Sequence, residues 1–85
     1  MTSLNREVVL EELQPIFREA LDEPGLVIMY SSNATNTPNW DSLAHITLID
    51  MVQSHFKVRF ALGELQYMKE VRDLVELIVA KAAKA

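Results

Sequence analysis

The sequence contains no cysteine, one tryptophan, two glycines and three prolines among its 85 residues. Without cysteine the chain can form neither a disulfide nor a thiolate metal site, and it has no thiol of its own. Its longest uninterrupted apolar run, Leu26–Tyr30, is five residues long, whereas a membrane-spanning helix needs about 20. The first residues also lack the pattern of a signal peptide. These absences predict a cytoplasmic protein with no membrane span.

Basic residues are also scarce, and they are unevenly distributed. The net charge is −4, and residues 1–56 hold two basic and eight acidic side chains. An acidic chain without a basic stripe is a poor nucleic-acid ligand, because phosphate contacts supply most of the non-specific affinity. The composition therefore predicts no nucleic-acid partner and favours basic protein partners. Eighty-five residues are enough for one core only, so we expect a single domain over residues 1–85.

Apolar residues at three- and four-residue spacing predict a first helix from about Leu4 to Leu21. Thr2 and Ser3 are the candidate caps of its start. Pro15 interrupts the pattern, because its ring nitrogen has no hydrogen to bond the carbonyl of Glu11. The segment is therefore expected to form either one kinked helix or two short helices.

The rest of the chain predicts a long loop and two further main helices. Residues 22–40 are rich in loop-forming residues, and a short strand is an option over residues 26–29, although no partner strand is visible. A second helix is predicted from about Ser42 to Phe56, capped by Asp41. A helical turn at residues 63–65 and a last helix at about Val71–Ala83 follow. The predicted fold is all-α, a small bundle of three main helices with a short helical turn and a long first loop.

The segment Trp40–Ile46 carries the most informative chemistry. Ser42 directly follows the capping aspartate, so its hydroxyl lies at a helix N-terminus, where backbone N–H groups and the helix dipole favour a phosphate. Asp-Ser-Leu is a short and common tripeptide, however. On that tripeptide alone, Ser42 is better explained as a first-turn residue beside a good cap than as an attachment site.

Further segments follow this tripeptide in order: Phe56-Lys57-Val58-Arg59-Phe60, Glu64-Leu65, Met68-x-x-Val71-x-x-Leu74 and Leu77-Ile78. Together with Asp41-Ser42-Leu43 they resemble the acyl carrier protein family over about residues 40–78. In that family Asp-Ser-Leu opens the second helix and the serine carries 4′-phosphopantetheine.

The resemblance implies a carrier that is not an enzyme, and a monomer is the simplest expectation for its oligomeric state. A phosphopantetheinyl transferase would attach the 4′-phosphopantetheine of coenzyme A to Ser42 in a Mg²⁺-dependent reaction. Acyl- or aminoacyl-activating and transferring enzymes would then load cargo on the arm as a thioester and use it.

Two departures from the family pattern affect these expectations. The residue before Val71 is often Thr or Ser in the family and is Glu70 here, so the cap of the last helix should be weaker or formed in another way. The second helix also lacks most of the acids that fatty-acid carriers present to their basic partners, and Asp41 and Asp50 are the acids that remain. The Trp40–Leu43 form is more typical of carriers of specialised biosynthetic pathways.

Three apolar residues on the second helix, Leu43, Ile46 and Met51, do not share its core stripe. Single exposed apolar residues are common, but three on one short helix favour a partner-facing patch. We therefore predict that Asp41, Leu43, Ile46, Asp50 and Met51 take part in partner recognition. His45 lies on the core stripe and His55 outside it, and neither has the partners that a metal site or a general base needs.

Two other classes of function compete with a carrier. One is an acidic helical interaction domain that is never modified, in which Ser42 is only the neighbour of a cap. The other is a small helical DNA-binding module, against which the charge and the lack of a basic recognition helix both argue.

Overall fold

The computed structural model describes residues 5–66 and 68–83, and this part of the chain forms four helices and no strand. They are α1 (Arg6–Ala20), α2 (Ser42–Phe56), α3 (Leu62–Gln66) and α4 (Val71–Ala83). Three long helices, one short helix and a long first loop confirm the predicted all-α architecture. Within the described ranges, no helix is long and apolar enough to cross a membrane.

The first helix forms as one element, with Pro15 inside it. It begins at Arg6, and Asn5 is its cap: the Asn5 side chain accepts the Val8 N–H at 2.9 Å. The prediction that Thr2 or Ser3 caps this helix was therefore wrong, since the helix starts later in the chain; those two residues lie outside the described part. Pro15 is exposed, and its missing N–H interrupts the ladder on the solvent side, where water can bond the free carbonyl.

The core lies where α1 packs against both α2 and α4. Each helix contributes the apolar positions that its spacing predicts, and each buried side chain of this kind stabilises the fold by about 1.5–3 kcal/mol. The buried core residues of the three helices are Val9, Leu13, Ile16, Phe17, Leu48, Ile49, Val52, Val71, Leu74, Val75 and Ile78.

The long first loop is fastened to α1 through Ile28, which is only 2% exposed. The side-chain amide of Gln14 donates to the Ile28 carbonyl and accepts the Ile28 N–H, both at 2.9 Å. One side chain thus supplies the donor and the acceptor that a neighbouring strand would supply. This pairing explains why the extended segment needs no partner strand.

The same loop caps the last helix. The N–H groups of Val71 and Arg72 donate to the carbonyls of Ser32 and Tyr30, at 2.8 and 2.9 Å. The Asp73 carboxylate also accepts the backbone N–H groups of the two residues before the helix, at 3.0 Å each. The free N–H groups of the helix start are therefore satisfied without a capping hydroxyl. The cap beside Glu70 is formed in another way, as the sequence allowed.

We expect Gln14→Ala to lower the free energy of unfolding by about 1–3 kcal/mol, because it leaves both polar groups of the Ile28 backbone without partners. Urea unfolding followed by circular dichroism measures the loss. Glu11→Ala, at an exposed position of the same helix, should change stability by less than about 0.5 kcal/mol. Equal effects of the two changes would show that the Gln14–Ile28 pairing contributes nothing.

Candidate functional site

Ser42 is the first residue of α2 and its side chain is exposed. Asp41 caps the helix, and its carboxylate accepts the N–H of Ala44 at 2.8 Å, which confirms the predicted cap. The Asp41 carbonyl accepts the first helical bond, from the N–H of His45 at 2.9 Å. The hydroxyl of Ser42 is therefore open to solvent at the positive end of the helix dipole.

The chain is fixed just before this point by Asn39, whose φ of 64° is in the left-handed region. Asparagine tolerates that conformation better than most residues. Its side-chain amide donates to the Leu21 carbonyl at 3.1 Å and to the Glu23 carboxylate at 2.8 Å. The end of the long loop is thus tied to the end of α1, and α2 starts from a defined position.

Trp40 connects the start of α2 to the core and to His45. Its ring meets Phe17 edge-on, with centroids 5.2 Å apart, and stacks on His45 at 6.0 Å. The indole Nε1–H donates to His45 Nδ1 at 3.1 Å. Burial lowers the pKa of His45, and a neutral ring is the form that can accept this hydrogen bond.

The two histidines lie in different environments. His45 is packed and hydrogen-bonded, although it is half-buried rather than enclosed in the core. His55 is exposed, and its Nε2 lies 2.7 Å from the carboxylate of Glu12 on α1.

A cleft of about 530 Å³ opens beside Ser42, between the start of α2 and the segment that leads into α4. Trp40, Ile46 and Met68 give it apolar walls, while His45 and Lys69 add polar groups. Lys69, which lines the same cleft, and the helix N-terminus at Ser42 both suit a phosphate ester. Apolar walls suit a partly apolar chain extending from that ester. The site can therefore accept a phosphate-linked arm on Ser42.

The structure separates the five residues predicted to take part in recognition. Leu43 and Ile46 are 77% and 62% exposed and lie within the first turns of α2. Asp41 and Asp50 are also exposed. Met51 differs, because it is half-buried and packs against the core. An exposed apolar surface beside Ser42 is thus formed by Leu43 and Ile46.

Sequence reasoning missed the bond between Trp40 and His45, and it missed Lys69 in the cleft wall. The sequence did indicate the contact between Trp40 and His45. Trp40 precedes the cap and His45 is the fourth residue of the helix, which is the spacing of a hydrophobic staple. No sequence pattern indicated that Lys69 lines the cleft, since its position there depends on how the connector between α3 and α4 folds.

Comparison with known proteins decides the family. No protein-family model matches the chain. An acyl carrier protein of Coprothermobacter proteolyticus is 31% identical over 75 residues, which cover 88% of this chain and 92% of that one. The chain belongs to the acyl carrier protein family. The solution structure of a holo acyl carrier protein from Geobacter metallireducens is 43% identical, with a TM-score of 0.83 over 88% of this chain and 86% of that one.

Family membership establishes the general role. Acyl carrier proteins are carriers rather than enzymes, which agrees with a site that offers one exposed hydroxyl at a helix start and a cleft beside it.

Replacing the cap should destabilise the helix that presents the serine. We expect Asp41→Ala to cost about 1 kcal/mol of unfolding free energy, because the N–H of Ala44 loses its acceptor. Asp41→Asn keeps a side-chain acceptor and should recover most of the loss. Chemical denaturation of the three proteins measures both effects, and an Asp41→Ala variant as stable as the wild type would contradict the assigned cap.

Proposed function

We propose that Ser42 carries a 4′-phosphopantetheine arm, and that the protein holds acyl or aminoacyl groups on this arm as thioesters and presents them to partner enzymes. The observation that carries the proposal is the exposed hydroxyl of Ser42 on the first turn of α2, behind the Asp41 cap. A 43% identical relative described as a holo acyl carrier protein supports it.

The Ser42 hydroxyl is the group of this chain that would react when the arm is attached. The Ser42 oxygen would attack the pyrophosphate of coenzyme A, forming a new phosphate ester as adenosine 3′,5′-bisphosphate leaves, and the transferase would take the hydroxyl proton. Lys69 and the N-terminal N–H groups of α2 would favour the resulting phosphate charge. The arm supplies the terminal thiol that holds the cargo, which the chain itself lacks.

The partners that follow are a phosphopantetheinyl transferase, which uses coenzyme A and Mg²⁺, and the enzymes that load and remove acyl or aminoacyl groups. We place this function in the cytoplasm and assign it to a monomer.

We further propose that these partners belong to a specialised biosynthetic pathway. Asp50 is the only acidic residue within α2, and the first turn of α2 has none. The exposed surface beside Ser42 is instead formed by Leu43 and Ile46. A partner that docks here would therefore gain its affinity from apolar contact, and its binding would depend less on salt than docking on an acidic helix does.

Intact mass tests the modification. Incubation with coenzyme A, Mg²⁺ and a broad-specificity transferase, or co-expression with the transferases of the native host, should add the mass of one phosphopantetheine. Ser42→Ala should gain nothing, because it lacks the attacking oxygen while the cap at Asp41 is retained.

A Ser42→Ala protein that still gained the arm would place the attachment elsewhere. A wild-type chain left unmodified by both treatments would instead favour an acidic interaction domain that is never modified.

The docking role of the apolar surface is tested by Leu43→Asp. We expect it to reduce the rate of modification or of cargo transfer by about tenfold, the loss typical of an interface residue worth more than 1 kcal/mol. Because Leu43 is exposed, the helical circular dichroism signal and the unfolding midpoint should hardly change.

Leu62→Asp is the matched control, since Leu62 is 73% exposed and lies on α3. It should leave both rates near those of the wild type. Equal losses in the two variants would indicate a general effect of added charge, and unfolding of the Leu43→Asp protein would show that this residue supports the core.

A further inference from the structure

The bond from Trp40 fixes which nitrogen of His45 carries hydrogen. A neutral imidazole has one acceptor nitrogen and one N–H. Since Nδ1 accepts the Trp40 indole N–H at 3.1 Å, the hydrogen of the neutral ring resides on Nε2. The start of α2 therefore presents a histidine donor whose tautomer is set by its neighbour.

This donor is still available within the described part of the chain. No residue in ranges 5–66 and 68–83 forms a hydrogen bond with His45 Nε2, and no buried side-chain nitrogen or oxygen there lacks a partner. The Nε2–H of His45 is therefore accessible to solvent rather than enclosed and unsatisfied.

The position of His45 directs this donor toward Ser42. Helical side chains lean toward the N-terminus, so a residue covers the turn that precedes it. His45 follows Ser42 by three residues, a spacing at which Cβ atoms are about 5–6 Å apart. Both residues line the same cleft. A group attached to the Ser42 oxygen would therefore lie within reach of the His45 ring.

We propose that His45 is a positioning residue that donates its Nε2–H to a phosphate oxygen of the arm on Ser42 and directs the arm into the cleft. The inference rests on the proposed function and adds a role for two residues to it. Trp40 acts through His45, because its indole keeps Nδ1 as the acceptor.

The groups around His45 determine how its titration should respond. Asp41 and Lys69 are the charged residues that line the same cleft, and both are present with and without the arm. Attachment of the arm adds one phosphodiester charge beside the ring. A nearby negative charge favours the imidazolium, so the pKa of His45 should rise when the arm is attached.

The experiment is a histidine NMR titration of the unmodified and the modified full-length protein, with the modification verified by intact mass. We expect the pKa of His45 to rise by about 1 on modification. His55 is the internal control, because it is the only other histidine and pairs with Glu12 on α1. Its ring NMR signals should not move when the arm is attached.

Two variants separate the hydrogen bond from packing. His45→Gln keeps an N–H donor near the position of Nε2, whereas His45→Leu keeps comparable bulk without a donor. The ³¹P resonance of the modified His45→Gln protein should stay near that of the wild type, and that of His45→Leu should shift. If either variant fails to fold, the wild-type titration decides alone.

The outcomes distinguish this inference from the function on which it rests. A chain that never acquires the arm overturns both. A chain that is modified on Ser42, but whose His45 titrates identically with and without the arm, remains a carrier and overturns only the positioning role.

Discussion

The long first loop must satisfy its backbone polar groups although the described residues form no strand with which it could pair, and this constraint organises the molecule. At Ile28, the Gln14 side chain satisfies the backbone N–H and carbonyl with two hydrogen bonds. At the start of α4, the loop carbonyls of Tyr30 and Ser32 accept the first N–H groups of the helix, so both sets of polar groups are satisfied. The loop is therefore joined by hydrogen bonds both to α1 and to the start of α4.

The site inherits its geometry from that arrangement. Once the loop is fixed, Asn39 ties its end to α1 and Trp40 inserts between Phe17 and His45. The next two residues divide the remaining tasks: Asp41 caps α2, and Ser42 forms no hydrogen bond through its side chain with the described residues. The neighbours of Ser42 therefore make the stabilising contacts. A group can be attached to this serine without removing an interaction on which the fold depends.

The sequence predicted the helices well because their apolar spacing and the Asp41 cap are local signals. The limits of α2 and α4 follow from those signals directly. The start of α1 was placed too early, because Thr2, Ser3 and Asn5 are all good caps and only packing selects among them. The pairing of Gln14 with Ile28 was beyond sequence reasoning, since a glutamine on a helix carries no mark of a partner 14 residues away. The lining of the cleft by Lys69 could not be predicted either, because it depends on how the connector between α3 and α4 folds.

The distribution of charge suggests how a carrier of this kind would meet its partners. Six of the twelve acids lie at or before residue 23, along α1 and its exit, whereas α2 contributes Asp50 alone between its two ends. On the proposed function, such a field would attract basic partners to the molecule as a whole, and its effect on encounter would weaken with salt. The residues beside Ser42 are Leu43 and Ile46, and apolar contacts there act mainly on how long a docked partner stays. On the proposed function, the rate of encounter with a partner and the lifetime of the docked complex are therefore governed by different parts of the surface. Substitutions on α2 can then change partner selectivity without changing the net charge.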